Sequence, residues 1–164
     1  MKLHLTAILR AVTTETNWLN ATELEAWLAW LRLTSEIPRV LHRQLVEDAG
    51  ITLQDYDVLV QLSESITPTM RVSTLARAIH WERSRLSHHL KKMVQRELIT
   101  MNACPNDARA IDVALTPLGR STLERSAPGH AAAVRSLVFG ALSEDDVDSL
   151  RRITTTMLAG IQPA

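Results

Sequence analysis

At 164 residues, 46% of them hydrophobic, the chain is long enough to fill one core and short for two independent domains. Lysine plus arginine number 18, as do aspartate plus glutamate, so net charge identifies no polyanionic partner. Their distribution says more: residues 71–120 carry nine cations against four acids, and the rest carries nine against fourteen, which gathers positive potential on one segment. A single cysteine, Cys104, excludes an intramolecular disulfide framework and a zinc site built on a Cys pair, and fits a reducing, cytoplasmic setting. The opening MKLHLTAILRAV is too short and too interrupted by His4 and Arg10 for a signal segment. No run approaches the length of a membrane span, so no membrane partner is expected.

In chain order, residues 1–21 have weak periodicity and read as an arm. Thr22-x-x-Glu25 reads as a capping box opening a long helix to about Asp48, stopped by Gly50 and kinked at Pro38. Leu24, Trp27, Leu28, Trp30, Leu31 and Leu33 make its first turns apolar nearly all round, which implies a second buried surface, most simply between subunits. Thr52-x-x-Asp55 caps a second helix to about Glu64. Arg71 and Val72 read as a very short strand, and Ser73 as the N-cap of a helix over Thr74–His80 with Leu75, Ala76 and Ile79 inward.

The stretch from Arg83 to Ile99 follows after a tight turn. On a helical period Leu86, Leu90, Met93, Val94 and Leu98 form one apolar stripe, while Ser84, Arg85, His88, Lys92 and Gln95 form the opposite face, free of carboxylates. Two short helices joined by a turn, the second with a cationic outer face, are the pattern of a helix-turn-helix. The period then changes to two. Ile99–Ala103 and Ile111–Thr116 read as strands, with Ile111, Val113 and Leu115 inward and PNDARA as the hairpin loop, a wing beside the second helix. Thr116-Pro117 opens a helix that Pro128-Gly129 should break or bend. Ser143-x-x-Asp146 caps the last one, ending near Gly160.

On this pattern the candidate DNA contacts are Ser84, Arg85, Ser87, His88, His89 and Lys92, with Arg83 beside them. Arg85 can give two hydrogen bonds to a guanine edge, whereas Lys and Ser mostly hold phosphates. Ser73 and Thr74 sit at a helix N-terminus suited to a phosphate, although capping explains them equally well. His80, His88 and His89 have no ligand spacing for a metal, adjacent helical residues diverging by about 100°. Cys104 reads as packing rather than a redox switch. No nucleophile-base pair, phosphate loop or carboxylate pair supports catalysis, and no cofactor is implied.

From about Thr22 to Leu158 the chain resembles the MarR family of winged helix-turn-helix transcriptional regulators. The residues that carry the resemblance are RVSTLARAI, WERSRLSHHLKKMVQRELI and CPNDARAIDVALTPLG, with the wing signature Asp107-x-Arg109. The resemblance implies a mainly α fold of six helices with a small β-hairpin wing. Residues 22–50 and 117–164 would form the dimerisation helices around a DNA-binding region at 51–116, in a single compact domain. It also implies a homodimer on a pseudo-palindromic operator in double-stranded DNA, acting as a repressor that a small aromatic or anionic ligand releases. In the family the wing Asp pairs with an arginine of the core, so Asp107 is expected to fix the wing, with Arg83 as its candidate partner, and Arg109 to probe the minor groove. Two departures stand out: Glu97 occupies the place of a usual glycine, and Arg109 is the wing's sole cation. Trp27, Trp30, Arg39, His42 and Tyr56 are the candidate lining of a ligand pocket, although tryptophans at helical spacing are more often dimer core. A constitutive DNA binder, and a winged-helix module that binds proteins instead of DNA, remain the alternatives.

Overall fold

The computed structural model describes residues 18–104 and 107–161, with backbone alone at 107–109. Residues 1–17 of the expected arm and the hairpin tip at 105–106 lie outside the described residues. Six α-helices and three short strands follow in order: α1 Ala21–Ala49, α2 Leu53–Ser63, β1 Met70–Arg71, α3 Val72–Ala78, α4 Arg83–Gln95, β2 Ile99–Cys104, β3 Asp107–Leu115, α5 Pro117–Val134 and α6 Glu144–Ile161, with a π-helical turn at Arg135–Phe139. Contacts divide the chain into a first unit, residues 1–37, and a second, 38–164.

In the first unit the capping box forms two residues earlier than the Thr22 reading. Asn20 Oδ1 accepts from the Glu23 N–H at 2.9 Å, and Glu23 Oε2 accepts from the Asn20 N–H at 2.7 Å. Asparagine caps at least as well as threonine, so the earlier box wins and draws Ala21 and Thr22 into the helix. Trp27, Leu28, Leu31 and Leu33 are 38–48% exposed, a large apolar area left in water by one copy of the chain.

In the second unit α1 buries Leu41 and Leu45 and ends at Gly50, whose φ of 64° suits glycine. Thr52 and Asp55 form the expected capping box of α2. The core gathers Leu45, Ile51, Val58, Leu59, Leu75, Leu86, Leu90, Met93, Ile99 and Val113, drawn from α1 to α4 and the sheet. The sheet is antiparallel in the order β1-β3-β2, with Met70 opposite Val113 and Ile99 opposite Leu115.

Several local expectations are corrected. The helix expected at Thr74 begins at Val72 with Arg71 at its cap, so Ser73 lies inside its first turn and does not cap it. The strand β3 already starts at Asp107, shortening the expected PNDARA loop. Val94 and Ile111 are exposed, at 38% and 41%, because each falls at the edge of its apolar stripe and the core closes without it. The helix α5 runs through Pro128-Gly129 unbroken: a proline removes one backbone bond, and the turns on either side hold the helix.

The helix α4 stops at Gln95 because the chain turns left-handed at Glu97, φ 57°. The Leu98 N–H bonds back to the Met93 carbonyl at 3.0 Å and the Glu97 N–H to Val94 at 2.9 Å, the doubled closure of a glycine-type stop made here with glutamate. The first turn of α5 braces it. The Thr116 hydroxyl donates to the Glu97 carbonyl at 2.6 Å and accepts from the Gly119 N–H at 2.9 Å. A Cβ at Gly119 would collide with the Leu98 carbonyl, so only glycine lets the two elements meet. Glu97→Gly is expected to raise unfolding stability by about 0.5–1 kcal/mol by relieving the left-handed strain. Urea unfolding checks this, and an unchanged or lower midpoint contradicts it.

Candidate nucleic-acid interface

Burial fixes which way α4 faces. Leu86, Leu90 and Met93 are fully buried, which turns Ser84, Arg85, His88, Lys91 and Lys92 outward and exposed. Arg83 opens the helix, and its carbonyl accepts the Ser87 hydroxyl at 2.8 Å, so Ser87 is half-buried and satisfied within its own helix. Ser73 and Thr74 are exposed on the first turn of α3. Between the two helices His80 takes φ 54°, and the Trp81 N–H reaches back to the Ala76 carbonyl at 2.9 Å, so α3 too closes on a left-handed residue that is not glycine.

What holds α4 at its angle is a buried carboxylate on α2. Asp55 is 1% exposed. Its Oδ2 accepts from the Thr52 N–H at 2.8 Å and from Arg96 Nη1 at 2.7 Å, while Arg96 Nη2 donates to the Gly50 carbonyl at 2.7 Å. His89 Nε2 lies 3.0 Å from Oδ1, with its N–H direction off the hydrogen-bond line, a polar contact rather than an aligned bond. Burial pushes this carboxyl up, but His89, the Thr52 N–H, Arg96 and the Thr52 hydroxyl outweigh it and hold it well below the usual carboxylate range. One acid thus caps α2, meets α4 at its middle through His89 and just past its end through Arg96, and by Arg96 ties in the end of α1.

Beside this node Arg85 Cζ lies over the Trp81 ring, 4.3 Å from its centroid, and the same ring meets His89 edge-on at 5.5 Å and 72°. A cleft of about 440 Å³ opens between the start of α2 and α4, lined on the α4 side by Arg85, His88, Lys92 and Arg96. An outward helix face whose Arg85 and Lys92 donors are unpaired among the described residues, next to a two-stranded wing, can take an anionic, hydrogen-bonding surface such as a DNA groove.

Residues 51–111, which contain this site, match the model of the MarR family. Among solved structures, the chain is 35% identical to Sco3205, a MarR family transcriptional regulator from Streptomyces coelicolor crystallised in complex with DNA. That match covers 93% of this chain and 95% of that one, at a TM-score of 0.84. The chain belongs to the MarR family of transcriptional regulators. AbsC, a second MarR regulator from Streptomyces coelicolor, is 33% identical over 89% of this chain and 98% of that one, TM-score 0.81. The transcriptional regulator MOSR of M. tuberculosis, also crystallised with DNA, is 26% identical over 80% and 92%, TM-score 0.66. A search of curated proteins returned no match.

The remaining predicted residues of this MarR protein are less gathered. Asp107 and Arg109 have strand backbone in β3, and their side chains lie outside the described residues, as does any Asp107–Arg83 pairing. Trp27 and Trp30 are exposed in the first unit, while Arg39 and His42 lie on α1 in the second. Tyr56 meets His130 of α5 with ring centroids 4.4 Å apart and the planes tilted by 42°, and lines a cavity of about 280 Å³ with Asp57 and Ile79. Burial raises the Asp57 carboxyl and lowers the His130 imidazole, each partly offset by the other's charge. Cys104 is half-buried, 3.9 Å from Arg71 Nη2. Among the described residues no cluster of three or more His, Cys, Asp or Glu is placed to hold a metal, and no helix is long and apolar enough to cross a membrane.

Sequence reasoning missed Asp55, Arg96 and Trp81 as parts of the site. Asp55 reads as a cap and nothing more, because its second set of partners is about forty residues away. Trp81 did carry a signal, since Trp81, Arg85 and His89 are spaced by four. Asp55→Asn is expected to cost about 2–4 kcal/mol at neutral pH, losing a charged cap and a charge-assisted bond. The native carboxyl is lowered, so its contribution is whole above the unfolded value of about 3.9 and is lost as pH falls toward the native one. Urea unfolding over a pH series should show wild type and variant converging in acid, and a constant gap contradicts the assignment.

Proposed function

We propose that this protein is a homodimeric, sequence-specific DNA-binding repressor, with residues 51–116 as its DNA-binding region and 22–50 and 117–164 as dimerisation segments. One observation carries the reading: Arg85 and Lys92 stand on the exposed face of α4 with no hydrogen bond or ion pair among the described residues, while the opposite face is locked into the core. The DNA complex of the 35% identical Sco3205 supports it. Ser84, Arg85 and His88 contact the major groove, with Arg85 on a base edge, and Lys92 holds a phosphate. Ser73, Thr74 and Arg83 hold phosphate, and Arg109 reaches the minor groove from a wing set by Asp107. Ser87 and His89, turned inward, set the helix rather than touch DNA. A second copy covers the exposed Trp27, Trp30, Leu28 and Leu31 of α1 and, separately, the exposed Val147, Ile153, Met157 and Leu158 of α6. Release by a small aromatic ligand rests on the Tyr56 cavity. The Asp57 carboxyl there disfavours an anionic one.

Fluorescence anisotropy on duplexes enriched from a random pool, with a salt titration, tests the DNA reading. Arg85→Ala should reduce the preference for enriched over random duplex by about 1–3 kcal/mol, whereas Lys92→Ala should weaken both alike and shrink the salt slope by about one. Equal losses on both duplexes for Arg85→Ala would show that it holds phosphate. Light scattering should give a dimer at micromolar concentration, and Leu28→Asp should yield monomer or unfolded chain, since an unpaired buried charge costs several kcal/mol. A monomeric wild type contradicts the dimer.

A further inference from the structure

We infer that Trp81 is a specificity-determining positioning residue: its ring clamps the flat face of the Arg85 guanidinium and leaves the guanidinium edge directed outward for a base. The inference rests on the reading of α4 as the helix that enters the major groove. A guanidinium is planar, and all its N–H donors lie in that plane. Stacking on an aromatic ring therefore restrains it without using any donor, whereas a carboxylate partner would spend the same donors that a guanine edge needs. Arg96 and Arg85 show the two cases. Arg96 gives its donors to Asp55 and Gly50. Arg85 lies 4.3 Å over the Trp81 ring and, among the described residues, makes no hydrogen bond or ion pair.

The platform itself is held from three sides. The Trp81 backbone N–H is bonded to the Ala76 carbonyl at 2.9 Å, across the left-handed His80. The Trp81 ring packs half-buried against the core cluster. His89 meets it edge-on, and His89 in turn lies 3.0 Å from the buried Asp55. A flexible arginine on an exposed helix loses rotamer freedom when it docks on a base, and a ring that restrains it beforehand reduces that loss.

The test uses the full chain and anisotropy on the enriched duplex and on a random-sequence duplex of equal length. Trp81→Leu keeps apolar packing and removes the π face, and should reduce the preference for enriched duplex by about fivefold, with random-duplex affinity unchanged. Trp81→Phe should retain most of the preference. In an Arg85→Ala background, Trp81→Leu should change nothing further. Because Trp81→Leu can also loosen the turn, tetrafluorinated tryptophan at position 81, which keeps ring shape and weakens the negative face, should give the same loss. An unchanged preference for that analogue, or an equal loss on both duplexes, overturns the inference while leaving the role of α4 standing. If Arg85→Ala itself leaves the preference intact, the reading of Arg85 falls and this inference with it.

Discussion

The Asp55 carboxylate is the constraint on which the rest of the site depends. A buried acid is costly unless its oxygens are occupied, and here the Thr52 N–H, Arg96 and His89 surround it. Because these partners come from the cap of α2, the middle of α4 and the residue just past its end, satisfying the charge also ties the angle between the two helices. Arg96 extends the tie to the Gly50 carbonyl, where α1 ends. The buried stripe Leu86-Leu90-Met93 sets which face of α4 turns outward, and the carboxylate adds a directional bond that non-directional apolar packing does not supply.

Together the stripe and the carboxylate sort the cations around α4. Arg96 is consumed by structure, Arg85 is stacked on Trp81, and Lys92 projects with no protein partner among the described residues. The helix is bracketed by two left-handed residues, His80 and Glu97, each closing the preceding helix with a backward bond. Neither is glycine, so both turns carry strain that the surroundings must hold, Trp81 packing on the core after one and Thr116 bonding the other.

The fold was legible in the sequence where caps and periodicity agree, as at Thr52-x-x-Asp55, Thr116-Pro117 and Ser143-x-x-Asp146, and the buried stripe Leu86-Leu90-Met93 oriented α4 before any coordinates did. Where two local signals compete, sequence chose the wrong one: Asn20 against Thr22, Arg71 against Ser73. The outward cations of the site were legible because they lie on one helix. Their restraints were not, because Asp55–Arg96 spans a long stretch of chain, and a cation over an aromatic ring leaves no donor-acceptor pattern to read. The exposed apolar residues of α1 were legible as a surface needing cover, since no arrangement on a single helix can bury a stripe that runs nearly all round it.

A double-mutant cycle on unfolding free energy between Asp55→Ala and Arg96→Ala tests most directly whether this carboxylate holds α4. Each variant, the pair and the wild type would be unfolded in urea at neutral pH and one protein concentration. A charge-assisted bond between a buried acid and its arginine predicts a coupling of about 1.5–3 kcal/mol, so that the second substitution costs much less once the first is made. Additive losses, with coupling near zero, would contradict the account and show that α4 is oriented by its apolar face alone.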